Sequence, residues 1–282
     1  MPAINHHTAP TQFVDAGGIS LAYRRFGAPK GVPLVFFQHF TGNLDNWDPK
    51  VIDGLAEDRE VILFNNAGVA SSQGEVAESY AEMAKHGAAL ITALGLETVD
   101  ILGFSMGGGV TQLLALEHPQ LVRRVVLVGI GPRNGEGMQT MTPEAQGYFG
   151  KERAVPDELW LDVFFTQSAS SQAAGRAFLE RYRARQVDRD IPINDKVMPA
   201  QLKAIGEWGE LKGERFAYLK EIRQPVLVVN GSNDIIVPTI NSYLLQQHLP
   251  NATLILYPDA NHGSQYQYPD QFTVAVKNFL GE

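Results

Sequence analysis

At 282 residues the chain exceeds a minimal domain and suits one large α/β domain carrying an insertion, with enough length to bury a sizeable core. Its formal net charge of -8 is spread along the sequence with no run of lysine or arginine, which argues against a nucleic-acid or membrane surface. With no cysteine, disulfides, thiolate metal sites and a cysteine nucleophile are excluded. A polar N-terminus and the lack of any membrane-length apolar stretch predict a soluble, cytoplasmic protein.

Residues 1–10 read as a loose tail, in which His6-His7 is a solvated pair rather than a metal site. Residues 12–14 and 19–26 flank Asp15-Ala16-Gly17-Gly18 and predict an antiparallel hairpin. Leu34-Val35-Phe36-Phe37 and Val61-Ile62-Leu63-Phe64 are fully apolar, as expected of strands buried on both faces. Tyr80, Met83, Ala84, Gly87, Leu90, Ile91 and Leu94 recur at helical spacing. Further buried strands are expected at residues 99–102, 125–128, 226–229 and 253–256, with helices over 110–116, 238–248 and 271–280. Apolar runs separated by helical patterns imply α/β architecture with a mostly parallel central sheet flanked by helices.

The rhythm changes between residues 131 and 221, where no buried strand appears. Leu159, Trp160, Val163 and Phe164 suit one short helix, Phe178, Leu179 and Tyr182 another, and Leu202, Ile205 and Trp208 a third. This predicts a helical insertion (131–221) into a core made of residues 1–130 and 222–282. Its aromatic residues, Trp160 and Phe164 among them, have two readings, as lining of a substrate pocket or as packing, and packing is the default. Arg181, Arg183 and Arg185 read as a charged helix face.

The chemistry centres on GFSMGG, residues 103–108, which lies between a predicted strand and a predicted helix. A G-x-S-x-G in that setting is a nucleophile elbow, a strained turn that lifts the serine oxygen above the end of the sheet. Gly103 and Gly107 are expected because side chains there would collide where strand and helix approach. Serine needs an adjacent base, and the base an orienting acid. In an open parallel sheet such groups gather at the carboxyl ends of strands, and Ser105, Asp234 and His262 follow three predicted strands in the order serine, acid, histidine. His248 is less suited as the base because it sits late in a helix. An acid after the 125–128 strand would be the alternative to Asp234, but residues 129–135, GIGPRNG, hold no carboxylate.

With GFSMGG around Ser105, GSNDIIVP around Asp234, DANHG around His262 and Trp47-Asp48-Pro49 after the first buried strand, the chain resembles the α/β-hydrolase superfamily over nearly its whole length. The resemblance implies that the insertion is a cap over the active site. It also implies an oxyanion hole from the backbone N–H groups of Phe40 and Met106, Gln38-His39-Phe40 standing where relatives carry His-Gly and a third residue. His39 then has two readings, as an extra donor to the substrate carbonyl in the pocket or as a packed loop histidine. Asn65-Asn66-Ala67-Gly68-Val69-Ala70 departs from the usual Asp-x-x-Gly-x-Gly and bears on loop packing and the pocket wall, not on the triad. The implied function is a serine hydrolase of small to medium carboxylic esters, acting on a small-molecule substrate with no cofactor or metal, and leaving the oligomeric state open. Lactonase, cofactor-free perhydrolase of the haloperoxidase type and carbon–carbon bond hydrolase are alternatives on the same triad. A small-molecule receptor with vestigial hydrolysis is the alternative of a different class.

Overall fold

The computed structural model describes residues 4–281. Eight strands form one sheet: β1 (Gln12–Asp15), β2 (Ser20–Gly27), β3 (Leu34–Phe37), β4 (Glu60–Phe64), β5 (Val99–Phe104), β6 (Val122–Val128), β7 (Val226–Gly231) and β8 (Ala252–Tyr257). Their spatial order is β1-β2-β4-β3-β5-β6-β7-β8, with β1 and β2 antiparallel to their neighbours and β3 to β8 parallel. The helices are α1 (Pro49–Ala56), α2 (Tyr80–Ala93), α3 (Met106–Glu117), α4 (Pro143–Gly150), α5 (Leu159–Val163), α6 (Ala169–Tyr182), α7 (Val197–Gly209), α8 (Ile240–His248), α9 (Ser264–Gln267) and α10 (Pro269–Gly281). None of the described helices is long and apolar enough to cross a membrane.

The apolar strand sequences serve two cores at once, because successive side chains point to opposite faces. Val35 and Phe37 of β3, Val99 and Ile101 of β5, and Val125 and Leu127 of β6 pack with α2, α3 and α8. Leu34 and Phe36, Leu102 and Phe104, and Val126 and Val128 pack with α1 and α10 on the other face. Each such fully buried side chain contributes roughly 1.5–3 kcal/mol from its removal from water. At the amino end of β5 the buried Asp100 is held by Arg123 through paired bonds of 2.9 and 2.6 Å, which offsets the cost of its burial.

The sheet order reverses at β3, since the chain leaves it for β4 on one side and returns to β5 on the other. The carboxyl ends of β3 and β5 are therefore neighbours whose connections run in opposite directions, the place where open α/β sheets hold ligands.

Helices α4 to α7 lie between β6 and β7 in the chain, and they are anchored to both cores. Phe164, Phe165, Phe178 and Leu179 join the core beneath α1 and α10, whereas Ala204 and Trp208 of α7 join the core beneath α2 and α3. The apolar spacing does not announce α1 or α4, although Asp48 as N-cap and Pro49 at the first helical position are the signals of a helix start.

Two expectations are corrected. Residues 1–3 lie outside the described residues, but from Asn5 onward the tail is docked, not loose. His6 is buried, its N–H donates to Asp53 Oδ1 at 2.7 Å, and the His6 and Ala9 carbonyls accept from Arg185. The arginine series is also not one charged face, because α6 stops at Tyr182. Arg181 grips buried Asp48 at 2.8 and 2.6 Å, Arg183 pairs with Asp157 at the surface, and Arg185 is buried against the tail and Asp188.

Candidate active site

Ser105 joins β5 to α3 with φ 54° and ψ −123°, a conformation that side chains other than glycine's avoid. The turn is forced by close packing on both sides of it. A Cβ on Gly103 would lie 2.4 Å from the Gly107 carbonyl oxygen, and one on Gly107 would lie 2.1 Å from the Phe37 oxygen at the end of β3. The Ser105 N–H donates to the Val128 carbonyl at 2.8 Å, so the neighbouring strand β6 also holds the turn. α3 starts at the next residue, which sets its unsatisfied N–H groups beside the serine.

His262 follows β8 and Asp234 follows β7, and the structure brings both to Ser105. His262 Nε2 lies 2.9 Å from Ser105 Oγ, and His262 Nδ1 lies 2.8 Å from Asp234 Oδ2. A carboxylate only accepts, so in the neutral imidazole Nδ1 carries the proton and Nε2 accepts from the serine hydroxyl. The other carboxylate oxygen, Oδ1, accepts from the Ile236 and Val237 N–H groups at 2.8 and 2.9 Å, which fixes the acid's rotation. Gly129, with φ +57°, gives the imidazole room, since a Cβ there would stand 3.1 Å from His262 Cε1. Phe104 lies against the same ring with centroids 5.1 Å apart.

The loop after β3 has its own internal bracing. Gln38 Oε1 accepts from the His39 N–H at 2.9 Å and Gln38 Nε2 donates to the Asn43 carbonyl at 2.9 Å. Gly42 must be glycine for this, because its Cβ would fall 2.2 Å from Gln38 Cγ. His39 Nδ1 lies 2.9 Å from the Phe40 carbonyl, and burial pushes its imidazole down to about 4. A carbonyl can only accept, so the neutral ring keeps its proton on Nδ1 and presents a lone pair at Nε2. In that tautomer the ring braces its own loop through the Phe40 carbonyl. Thr41, at φ 60°, donates its N–H to Gln201 Oε1 of α7 at 2.7 Å and its hydroxyl to the Phe40 carbonyl at 2.7 Å.

Trp160 and Phe164 stack with centroids 4.7 Å apart, and His39 meets them edge-on at 5.3 and 5.7 Å. Phe164 also lies 6.1 Å from the His262 ring. His39, Trp160 and Phe164 thus form one aromatic cluster, in which His39 and Phe164 also contact Phe104. Sequence reasoning missed Gln201 and Asn261. Gln201 is 160 positions from its partner and leaves no local signal, whereas Asn261 directly precedes His262.

A sequence profile of the alpha/beta hydrolase fold matches residues 32–269. The chain belongs to the α/β-hydrolase fold family. It is an enzyme of that family by this match and by likeness to its members. An α/β-hydrolase fold protein from Chitinophaga pinensis is 42% identical, covers 98% of this chain and 99% of its own, and superposes with a TM-score of 0.92. The dihydrolipoyllysine-residue acetyltransferase component of an acetoin-cleaving system from Cupriavidus necator is 30% identical over 97% of this chain and 70% of that protein. The pimeloyl-[acyl-carrier protein] methyl ester esterase of Nitrosomonas europaea is 30% identical over 61% of this chain and 67% of its own. The 2-hydroxymuconate semialdehyde hydrolase of Pseudomonas putida is 26% identical over 80% and 79% respectively.

Proposed function

We propose that this α/β-hydrolase cleaves carboxylic esters of small to medium size through an acyl-enzyme on Ser105. The observation that carries the reading is the continuous hydrogen-bonded chain from Ser105 Oγ through His262 to Asp234, at 2.9 and 2.8 Å. Ser105 Oγ attacks the ester carbonyl carbon while its proton passes to His262 Nε2, and the carbonyl π pair moves onto oxygen. Asp234 stabilises the imidazolium and holds its tautomer. The Phe40 and Met106 N–H groups are the donors assigned to the oxyanion, in keeping with Met106 being the first residue of α3. Collapse breaks the bond to the alkoxy oxygen, which leaves with the proton from His262. Water then repeats the sequence against the acyl-enzyme. The helices between β6 and β7 act as the cap, with Trp160, Phe164 and His39 at the pocket wall.

A panel of p-nitrophenyl esters, lactones and β-diketones against the wild type and Ser105→Ala tests the reading. Multiple turnover on esters is expected, with kcat lowered by on the order of 10⁴ in Ser105→Ala. Undiminished turnover in that variant removes Ser105 from the mechanism. Likeness to 2-hydroxymuconate semialdehyde hydrolase favours carbon–carbon cleavage as the second reading, and turnover of β-diketones in preference to esters is the result that selects it.

A further inference from the structure

Asn261 is buried between three segments that meet beside the reacting groups. Its Oδ1 accepts from the Ile235 N–H at 2.9 Å and from the His262 N–H at 2.9 Å. Ile235 directly follows Asp234, and His262 directly follows Asn261, so one oxygen sets the backbone beside both the acid and the base. Its Nδ2 faces the carbonyls of Asp162 and Phe165 in the α5 region, at 3.4 and 3.5 Å. Two N–H groups at one end and two carbonyls at the other fix the amide orientation, and they also exclude a carboxylate or an apolar side chain from meeting all four.

The surroundings repeat the same joining. The Asn233 N–H donates to the Ala260 carbonyl at 2.9 Å, and a Cβ on Gly231 would meet the Ala260 and Asn261 carbonyl oxygens at 2.2 and 2.3 Å. On the side of α5, Phe165 bridges Ala260, the Gly263 N–H donates to the Phe164 carbonyl at 3.0 Å, and a Gly263 Cβ would fall 2.4 Å from the Phe164 Cβ. The loops bearing Asp234 and His262 and the segment bearing Phe164 are thus packed backbone to backbone, with Asn261 as the side chain common to all three.

We propose that Asn261 is a positioning residue whose amide oxygen keeps Asp234 and His262 in register and whose amide nitrogen ties that pair to the pocket wall. This rests on the assignment of Ser105, His262 and Asp234 above. The oxygen half governs nucleophile activation and the nitrogen half substrate fit. The longer distances on the nitrogen side make its effect the smaller of the two.

The test uses the whole protein and an alkyl fluorophosphonate. Ser105 Oγ forms a bond to phosphorus as fluoride leaves and the hydroxyl proton passes to His262, so the labelling rate reports activation without knowledge of the natural substrate. Asn261→Ala loses both halves, and its labelling rate is expected to fall roughly 10–100-fold, as for the two hydrogen bonds lost at the oxygen. Asn261→Asp keeps the acceptor. Its labelling is expected to stay within about threefold of wild type while KM for a short p-nitrophenyl ester rises roughly 3–10-fold, a split that a general loss of stability does not produce. Equal labelling in Asn261→Ala and wild type, or an equal fall in both variants, overturns the proposal. If Asn261→Ala does not fold, the low-field proton resonance of His262 Nδ1–H in Asn261→Asp decides, retention supporting the oxygen's role and loss refuting it. Wild-type protein that is not labelled at Ser105 defeats the underlying assignment and this proposal with it. Labelling of wild type but not Ser105→Ala, with variants that behave alike, defeats this proposal alone.

Discussion

Replacing Ser105 by glycine and, separately, by alanine isolates the strain of the elbow from its chemistry. Both variants lose the 2.9 Å bond to His262 Nε2, but only alanine keeps a Cβ at φ 54° and ψ −123°. Holding a non-glycine residue in such a region costs roughly 1–3 kcal/mol. Glycine removes that cost, and its freer unfolded chain returns about 0.4–1 kcal/mol. Ser105→Gly is therefore expected to be more stable than Ser105→Ala by about 0.5–2 kcal/mol, the difference left by those two terms. For a chain of 282 residues that corresponds to a Tm higher by about 1–4 °C. Differential scanning calorimetry of the two variants side by side measures it. A Tm for Ser105→Gly equal to or below that of Ser105→Ala refutes the claim that the elbow is strained.

Two further outcomes follow from the packing and burial around the site. Gly107→Ala sets a Cβ 2.1 Å from the Phe37 oxygen and 2.8 Å from the Gln38 oxygen, both backbone atoms that cannot yield by a rotamer change. The expected result is a loss of about 1–3 kcal/mol in urea unfolding and an ester kcat reduced roughly 10-fold or more, because the Phe40 loop is displaced. Gly147→Ala in α4 meets nothing within 4 Å and serves as the neutral comparison, so similar behaviour of the two variants contradicts the account. The second outcome concerns pH. Burial holds His39 at about 4 and His6 at about 3, both below the ordinary histidine value of 6.5. Between those values and about 6.5 the unfolded chain binds more protons than the folded one, so stability falls as the pH is lowered from about 6.5 toward 4. His39→Asn keeps a donor for the Phe40 carbonyl but cannot titrate, and it is expected to flatten part of that acid limb in Tm measured against pH. An unchanged limb in His39→Asn refutes the buried neutral state of His39.

Much of the candidate site was readable because its members follow strands. Ser105, Asp234 and His262 each lie just past a run of apolar residues, and the parallel sheet carries those runs to one edge. Their meeting at 2.9 and 2.8 Å is thus the geometric consequence of three strand ends in register. Gly103 and Gly107 were readable for the same kind of reason, since a tight turn between strand and helix leaves no room for a Cβ. The docked tail was not readable. A short polar segment such as residues 5–9 carries no periodicity, and its burial depends on Arg185, 179 positions from His6. The bracing of the Phe40 loop by Gln201 was hidden in the same way.

The order of apolar runs and helical periodicities, taken alone, determined the α/β class and pointed to the helical segment between β6 and β7 and to Ser105, Asp234 and His262, because strands and helices are written in local patterns. The tertiary structure decided what those residues touch. It set His39 against the Phe40 carbonyl, fixed Asn261 between the Asp234 loop, His262 and the α5 region, and set Phe164 against His262. These contacts join segments far apart in the chain, and close packing of backbone against backbone, not local propensity, is what selects them.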